Sequence, residues 1–173
     1  AMLDPACADI TGRVLEMLGR FDGLHQDPVI RQAIEGGVEY LRTSQEPDGS
    51  WYGRWGVNYV YGTWQALKGL ICVGESADAP YIRRAVRWLK NTQNDDGGWG
   101  ETCDSYRTTA LKAKGVSTAS QTAWAVMGLL AAGEIDSPVV ERGVEFLLSR
   151  QKADGTWDEP EYTGTGFPNV FYL

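Results

Sequence analysis

Histidine and cysteine, the usual nucleophiles and zinc ligands, are sparse in this chain of 173 residues. There is one histidine, His25, and there are three widely spaced cysteines, Cys7, Cys72 and Cys103. A structural zinc needs ligands paired at short spacing, and no C-x-x-C is present. An odd number of scattered cysteines reads instead as reduced thiols of a cytoplasmic chain, two of them buried. The one adjacent pair of aspartates, Asp95-Asp96, lies in a Gly-rich loop and reads as turn chemistry. What the chain does have is aromatic surface, with seven Trp and eight Tyr. Its net charge of −7 and the lack of a Lys/Arg cluster exclude nucleic-acid binding. There is no secretory signal, and no apolar run approaches the length of a membrane span.

The elements that must position these aromatics repeat. A Gln, a Gly and a Trp recur at 45–51, 93–99 and 151–157, each four residues after an aromatic–aliphatic pair: Tyr40-Leu41, Trp88-Leu89 or Phe146-Leu147. Spacings of this size mark a stacked or closed array of similar units. Six amphipathic stretches surround the repeats. The first runs from about Asp9 to Phe21 with Ile10, Val14, Met17, Leu18 and Phe21 on one face. The second opens at Asp27-Pro28, an N-cap followed by a first-turn proline. A third, Tyr59 to Val73, buries Val60, Trp64, Leu67 and Ile71. The others begin near Asp78-Ala79-Pro80, Ser117 and Ser137-Pro138. Three helix pairs, each closed by a Gln/Trp loop, predict an all-α chain built as an α/α barrel (toroid) of helix hairpins. The repeated Trp residues are expected as core anchors at helix ends, not as catalytic groups.

The repeats resemble the QW motif of the class II triterpene cyclases. Arg84-Ala85 and Arg142-Gly143 supply its basic–small start, and the first copy departs from it with Gly36-Gly37. The runs 53–63, 115–125 and 162–168, together with Asp9-Ile10-Thr11-Gly12-Arg13, are similar to the C-terminal part of the bacterial squalene–hopene cyclases of that family. The likeness covers essentially the whole chain, residues 1–173. It implies one portion of a catalytic α/α barrel, present here as a partial barrel, in an enzyme that protonates squalene and cyclises it through carbocations to hopene or hopanol. It implies no cofactor and no metal, and a parent protein peripheral on the cytoplasmic side of the membrane. The proton donor of that family is the middle Asp of an Asp-x-Asp-Asp motif. This chain lacks one, since Gln93 stands two residues before Asp95.

Residue by residue, the resemblance places Trp55 and Tyr61 near the acid end of the cavity, with Tyr61 ordering a water. It makes Phe167 and Phe171 π-donors to later cations, where aromatic faces stabilise charge without capturing it. Leu173 shapes the pocket, and Asp9 with Arg13 forms a charged pair supporting the absent acid. Read without the resemblance, Asp9 and Arg13 are equally a helix N-terminal pair.

Both ends, Ala1-Met2 and the apolar 167–173, suggest a piece of a longer protein. Such a piece is expected to be inactive alone and to self-associate through the aromatic face that the missing part would cover. The rival reading is a non-catalytic α/α-repeat interaction domain. A prenyltransferase-type toroid would need zinc ligands, and a complement-type thioester domain would need Cys-Gly-Glu-Gln, whereas Cys72 is followed by Val73-Gly74-Glu75.

Overall fold

The computed structural model describes residues 5–21, 23, 27–167 and 170–172, with side chains given for all but 166, 167 and 170–172. It contains six main helices, α1 (Ala8–Arg20), α2 (Pro28–Ser44), α3 (Tyr59–Cys72), α4 (Pro80–Asn91), α5 (Ala119–Ala131) and α6 (Pro138–Arg150). The helices form where the sequence places them, for visible reasons. Asp27 caps α2 by accepting from Val29 N at 2.8 Å, and prolines open the first turns of α2, α4 and α6. Thr118 caps α5 through Gln121 N at 3.1 Å.

Helix α3 is the centre of the molecule. It packs against α1 on one side and α5 on the other, and ten of its fourteen residues are buried. Helices α2 and α6 lie against α1 and α5, and α4 bridges α3 and α5. The α1–α3 contact is backbone on backbone: a Cβ on Gly12 would fall 2.3 Å from the Gln65 carbonyl oxygen, and one on Gly69 would fall 2.3 Å from that of Gly12. Only glycine permits so close a crossing.

That crossing overturns the expectation for α1. Its apolar stripe does not face the core, for Ile10, Val14, Met17 and Phe21 are 40–57% exposed. The buried positions are Ala8, Asp9, Gly12, Leu15 and Leu18, because the helix turns its small-residue side to α3. A second difference is a short hairpin, β1 (Gly164–Phe167) with β2 (Val170–Tyr172), antiparallel with Thr165 opposite Phe171 and Phe167 opposite Val170. Its strands are too short and too Gly-rich to show alternation in the sequence. No disulfide joins the three cysteines, and only Cys7 is buried; Cys72 and Cys103 are half-buried.

The three Gln/Trp loops share one internal geometry. In each, an Asp side chain accepts from a backbone N–H two residues on (Asp48 from Ser50, Asp96 from Gly98, Asp154 from Thr156). The glycine after it has φ of 85–100°, a left-handed conformation that disfavours a side chain. Asp96 is thus held as a turn residue. Each Trp donates its indole N–H back to the end of the preceding helix, at Leu41, Leu89 and Leu147.

Candidate functional site

Asp9 sits in the first turn of α1 and is fully buried. Its Oδ2 accepts from the backbone N–H of Arg54 at 3.0 Å and of Trp55 at 2.8 Å, fixing the loop that carries Trp55. Its Oδ1 has no hydrogen-bond partner among the described residues. A buried carboxylate oxygen in that state is costly unless something else meets it.

One turn further along α1, Arg13 points at α3. Its Nη2 donates to the Tyr61 hydroxyl at 2.7 Å, and its guanidinium lies 5.7 Å from the Tyr61 ring centre. Gln65, in the amide orientation that satisfies both groups, accepts from Arg13 Nε at 2.8 Å. The two members of the expected charged pair therefore act on different partners, Asp9 on the Trp55 loop and Arg13 on Tyr61. Tyr61 is buried, so the expectation of an open face at this residue does not hold. Trp124 and Trp64 close over it, with ring centres 5.0 and 5.8 Å from its own, and they stack on each other at 6.0 Å. Burial pushes the Tyr61 phenol up, partly offset by Arg13, so it stays a neutral donor and acceptor.

Trp55 is half-buried, with the Arg54 guanidinium 5.6 Å from its ring centre. Its loop is tied to β1. Thr165 donates its hydroxyl to Arg54 O at 2.7 Å, Val57 N donates to Thr163 O at 2.9 Å, and Gly56 pairs with Gly164. The strand bearing Phe167 thus runs beside the loop bearing Trp55, and Phe171 faces Thr165 across the hairpin. Leu173, like His25, lies outside the described residues.

Several positioning groups escaped the sequence. The N-cap of α3, Asn58, uses no side chain of its own for the purpose. Glu101, buried between α4 and α5, supplies the cap from afar: its Oε2 accepts from Asn58 N at 3.3 Å and Val60 N at 3.0 Å. Negative charge is favoured at a helix N-terminus, yet burial outweighs these bonds and raises its carboxyl above the usual value. Gln121 donates to Val57 O at 2.9 Å and Glu101 O at 3.0 Å, and Tyr106 donates to Gly53 O and Gly56 O at 3.0 and 2.6 Å. Together they clamp the loop between Asp9 and Tyr61. No local pattern signals these contacts, which join residues 20–64 positions apart. Among the described residues, no group of three or more His, Cys, Asp or Glu could hold a metal, and no helix is long and apolar enough to cross a membrane.

Comparison with known proteins places this arrangement. The sequence model described as the squalene-hopene cyclase C-terminal domain matches residues 1–173. The chain is 51% identical over its full length to the squalene–hopene cyclase of Bradyrhizobium diazoefficiens, covering 26% of that protein. It is 52% identical over 98% of its length to that of Alicyclobacillus acidocaldarius, again covering 26%. A dammaradiene synthase of Dryopteris crassirhizoma is 50% identical over all of the chain, which covers 28% of it. Among solved structures, an ent-copalyl diphosphate synthase from Streptomyces platensis superposes with a TM-score of 0.73 at 22% identity over 99% of the chain and 31% of its own. A type II terpene cyclase from Scytonema gives 0.66 at 24%, over 95% of the chain and 41% of its own. At those identities the structures establish the shared α/α fold. The chain spans about a quarter of the length of the curated relatives it matches.

Proposed function

Because this chain belongs to the squalene-hopene cyclase C-terminal domain family, we propose that it is one section of a class II triterpene cyclase that folds squalene in an aromatic cavity and isomerises it to hopene. The acid comes from outside this chain. Its O–H breaks as a C–H bond forms at the terminal alkene, the alkene π electrons are drawn into ring closure, and the positive charge migrates until a proton is lost or water adds. Protonating an alkene requires a strong acid in a dry site, and the cations require faces that do not capture them. Trp55, Phe167 and Phe171 supply such faces, and Leu173 shapes the pocket beside them. Tyr61, held neutral by burial and oriented by Arg13, orders a water at the acid. Asp9 and Arg13 support the acid without touching substrate.

The observation that carries this reading is Asp9: fully buried, its Oδ2 spent on the Trp55 loop and its Oδ1 without a partner among the described residues. A carboxylate so placed is built to meet a donor that another segment brings, which a protonated carboxyl does. In the parent enzyme, Asp9→Asn keeps the oxygen that holds the Trp55 loop and loses the charge. Cyclisation is expected to fall about a hundredfold or more in kcat, with little change in KM for squalene. A variant with the parent's kcat would remove Asp9 from acid support.

The chain by itself, lacking the acid, produces no hopene from squalene. Because squalene dissolves in bilayers, the parent works as a peripheral protein on the cytoplasmic face of a membrane. Alone, the chain self-associates through the apolar stripe of α1 rather than through the Tyr61 face.

A further inference from the structure

The span between a Gln/Trp loop and the next main helix is short in the first repeat, residues 52–58, and long in the second, residues 100–118. The extra length forms two 3-10 turns, Cys103–Tyr106 and Thr109–Leu111. They fold back over the first repeat. Tyr106 donates to Gly53 O and Gly56 O, on either side of Trp55, and its ring meets Tyr52 edge-on at 5.7 Å. Tyr52 in turn meets Tyr59 at 5.8 Å.

Residues 107–110 of this segment are exposed, and the backbone N–H groups of Arg107, Thr108, Leu111 and Lys112 bond only three or four residues back. Lys112 reverses that trend. Its side chain is 10% exposed, and its ammonium enters a socket on the first Gln/Trp loop. Nζ donates to Glu46 Oε2 at 3.1 Å and to Asp48 Oδ2 and Ser50 Oγ, both at 3.3 Å. The Tyr59 ring, its centre 4.2 Å from Nζ, closes the remaining side and adds cation–π attraction. Exposed lysine–carboxylate pairs contribute little, because both partners keep their water. Here the lysine end is enclosed, and each of its three donors has an acceptor. The next residue, Ala113, is buried with a φ of 50°, and among the described residues no other non-glycine has a positive φ. A side chain persists in that left-handed conformation where its surroundings hold it.

We propose that Lys112 is a positioning residue. It fastens residues 102–114 as a strap across the first repeat, and so keeps Tyr106 on the two carbonyls that fix the Trp55 loop. Asp9 grips that loop through the N–H groups of Arg54 and Trp55, and Tyr106 grips it through Gly53 O and Gly56 O. The strap therefore sets where the Trp55 ring stands. Its bearing on product choice rests on the reading of Trp55 as cavity wall; the fastening itself does not.

The test is Lys112→Ala in this chain, read by hydrogen exchange of the Trp55 amide, which is protected while its bond to Asp9 is closed. Exchange should quicken by about tenfold, while amides in α6 keep their rates. Propylammonium, the part of the side chain removed, should fill the emptied socket and restore slow exchange. Tetramethylammonium, which carries the charge but no N–H, should not. Tyr106→Phe should quicken exchange as well, and adding it to Lys112→Ala should change little more, because both act through one strap. If Lys112→Ala loosens α6 too, Lys112→Met repeats the exchange comparison with most of the stem in place and the charge gone. Unaltered exchange overturns the proposal. So does equal recovery with tetramethylammonium, which would reduce Lys112 to a diffuse charge. Full additivity with Tyr106→Phe also overturns it, since Lys112 would then act by another route. In the parent protein, Lys112→Ala should raise the share of partly cyclised products from squalene. Unaltered products beside faster Trp55 exchange would remove Trp55 from the cavity wall and leave the fastening standing.

Discussion

Trp99 and Trp157 occupy equivalent positions in their repeats, make the same indole bond to the end of the preceding helix, and differ in one respect. Trp99 is enclosed by α5 and α6, with its backbone N–H donating to Thr122 at 2.9 Å and its ring touching Gly143, while Trp157 is open on one side. Truncating a fully buried Trp loses its transfer energy and leaves a cavity that close-packed surroundings cannot fill. Trp99→Ala should therefore cost about 3–5 kcal/mol, and Trp157→Ala should cost clearly less, about 1–2 kcal/mol. Urea unfolding of the two variants measures the difference, and equal losses would contradict the distinct environments. The sequence shows three identical motifs and cannot reveal this, because burial of each Trp depends on the helix that follows its loop. The same limit applies to Asp9. Its place beside Arg13 is legible as an N-terminal pair, but the structure sends the two side chains to partners more than 40 residues away.

Among the elements, helix starts were the most legible feature, because prolines and caps act within four residues of the boundary they set. The face each helix buries was less so. Periodicity reveals an apolar stripe on α1 but not which stripe meets a neighbour, and the Gly12–Gly69 crossing decides that. The N-terminus of α3 was the least legible, since its cap is Glu101, 41 residues from Val60. This cap has a pH signature. Burial raises the Glu101 carboxyl above its ordinary value of 4.5, so the folded chain holds the proton more tightly than the unfolded one. Below that value both states are protonated and the group contributes no difference. As pH rises through it, the unfolded chain ionises first, and the folded state loses relative stability until Glu101 ionises too. Glu101→Gln keeps an oxygen acceptor for Val60 N and removes the titration. The stability of the unmodified chain minus that of Glu101→Gln should therefore fall as pH rises past 4.5. Unfolding curves across a pH series give this difference directly, with the other carboxylates cancelling. A difference that rises with pH would mean that the helix N-terminus outweighs burial.

At the scale of the whole molecule, the described helices follow one another in the order α2, α1, α3, α5, α6. Helix α3 lies between α1 and α5, and α1 packs against α3 and α2. The free side of α1 carries Ile10, Val14, Met17 and Phe21, one above another along three turns and all at least 40% exposed. A contiguous apolar stripe of this kind is characteristic of a surface that is normally covered. The α5–α6 side also exposes apolar side chains, Met127 and Leu130 of α5 with Val144 and Leu148 of α6, but these are divided between two helices. Two copies related by a two-fold axis can lay α1 against α1, each covering the other's stripe through the same residues. The chain alone should then be a dimer in light scattering on the order of tens of micromolar. Val14→Glu, at the centre of the stripe and 44% exposed, should return it to a monomer. Because that side chain makes no core contact, the change should alter the unfolding free energy of the monomer by less than about 0.5 kcal/mol. A chain that is monomeric before the substitution, or a dimer that survives it, would place any association elsewhere. Trp157 distinguishes that outcome, since an α1-to-α1 dimer leaves its indole as exposed as in the single chain.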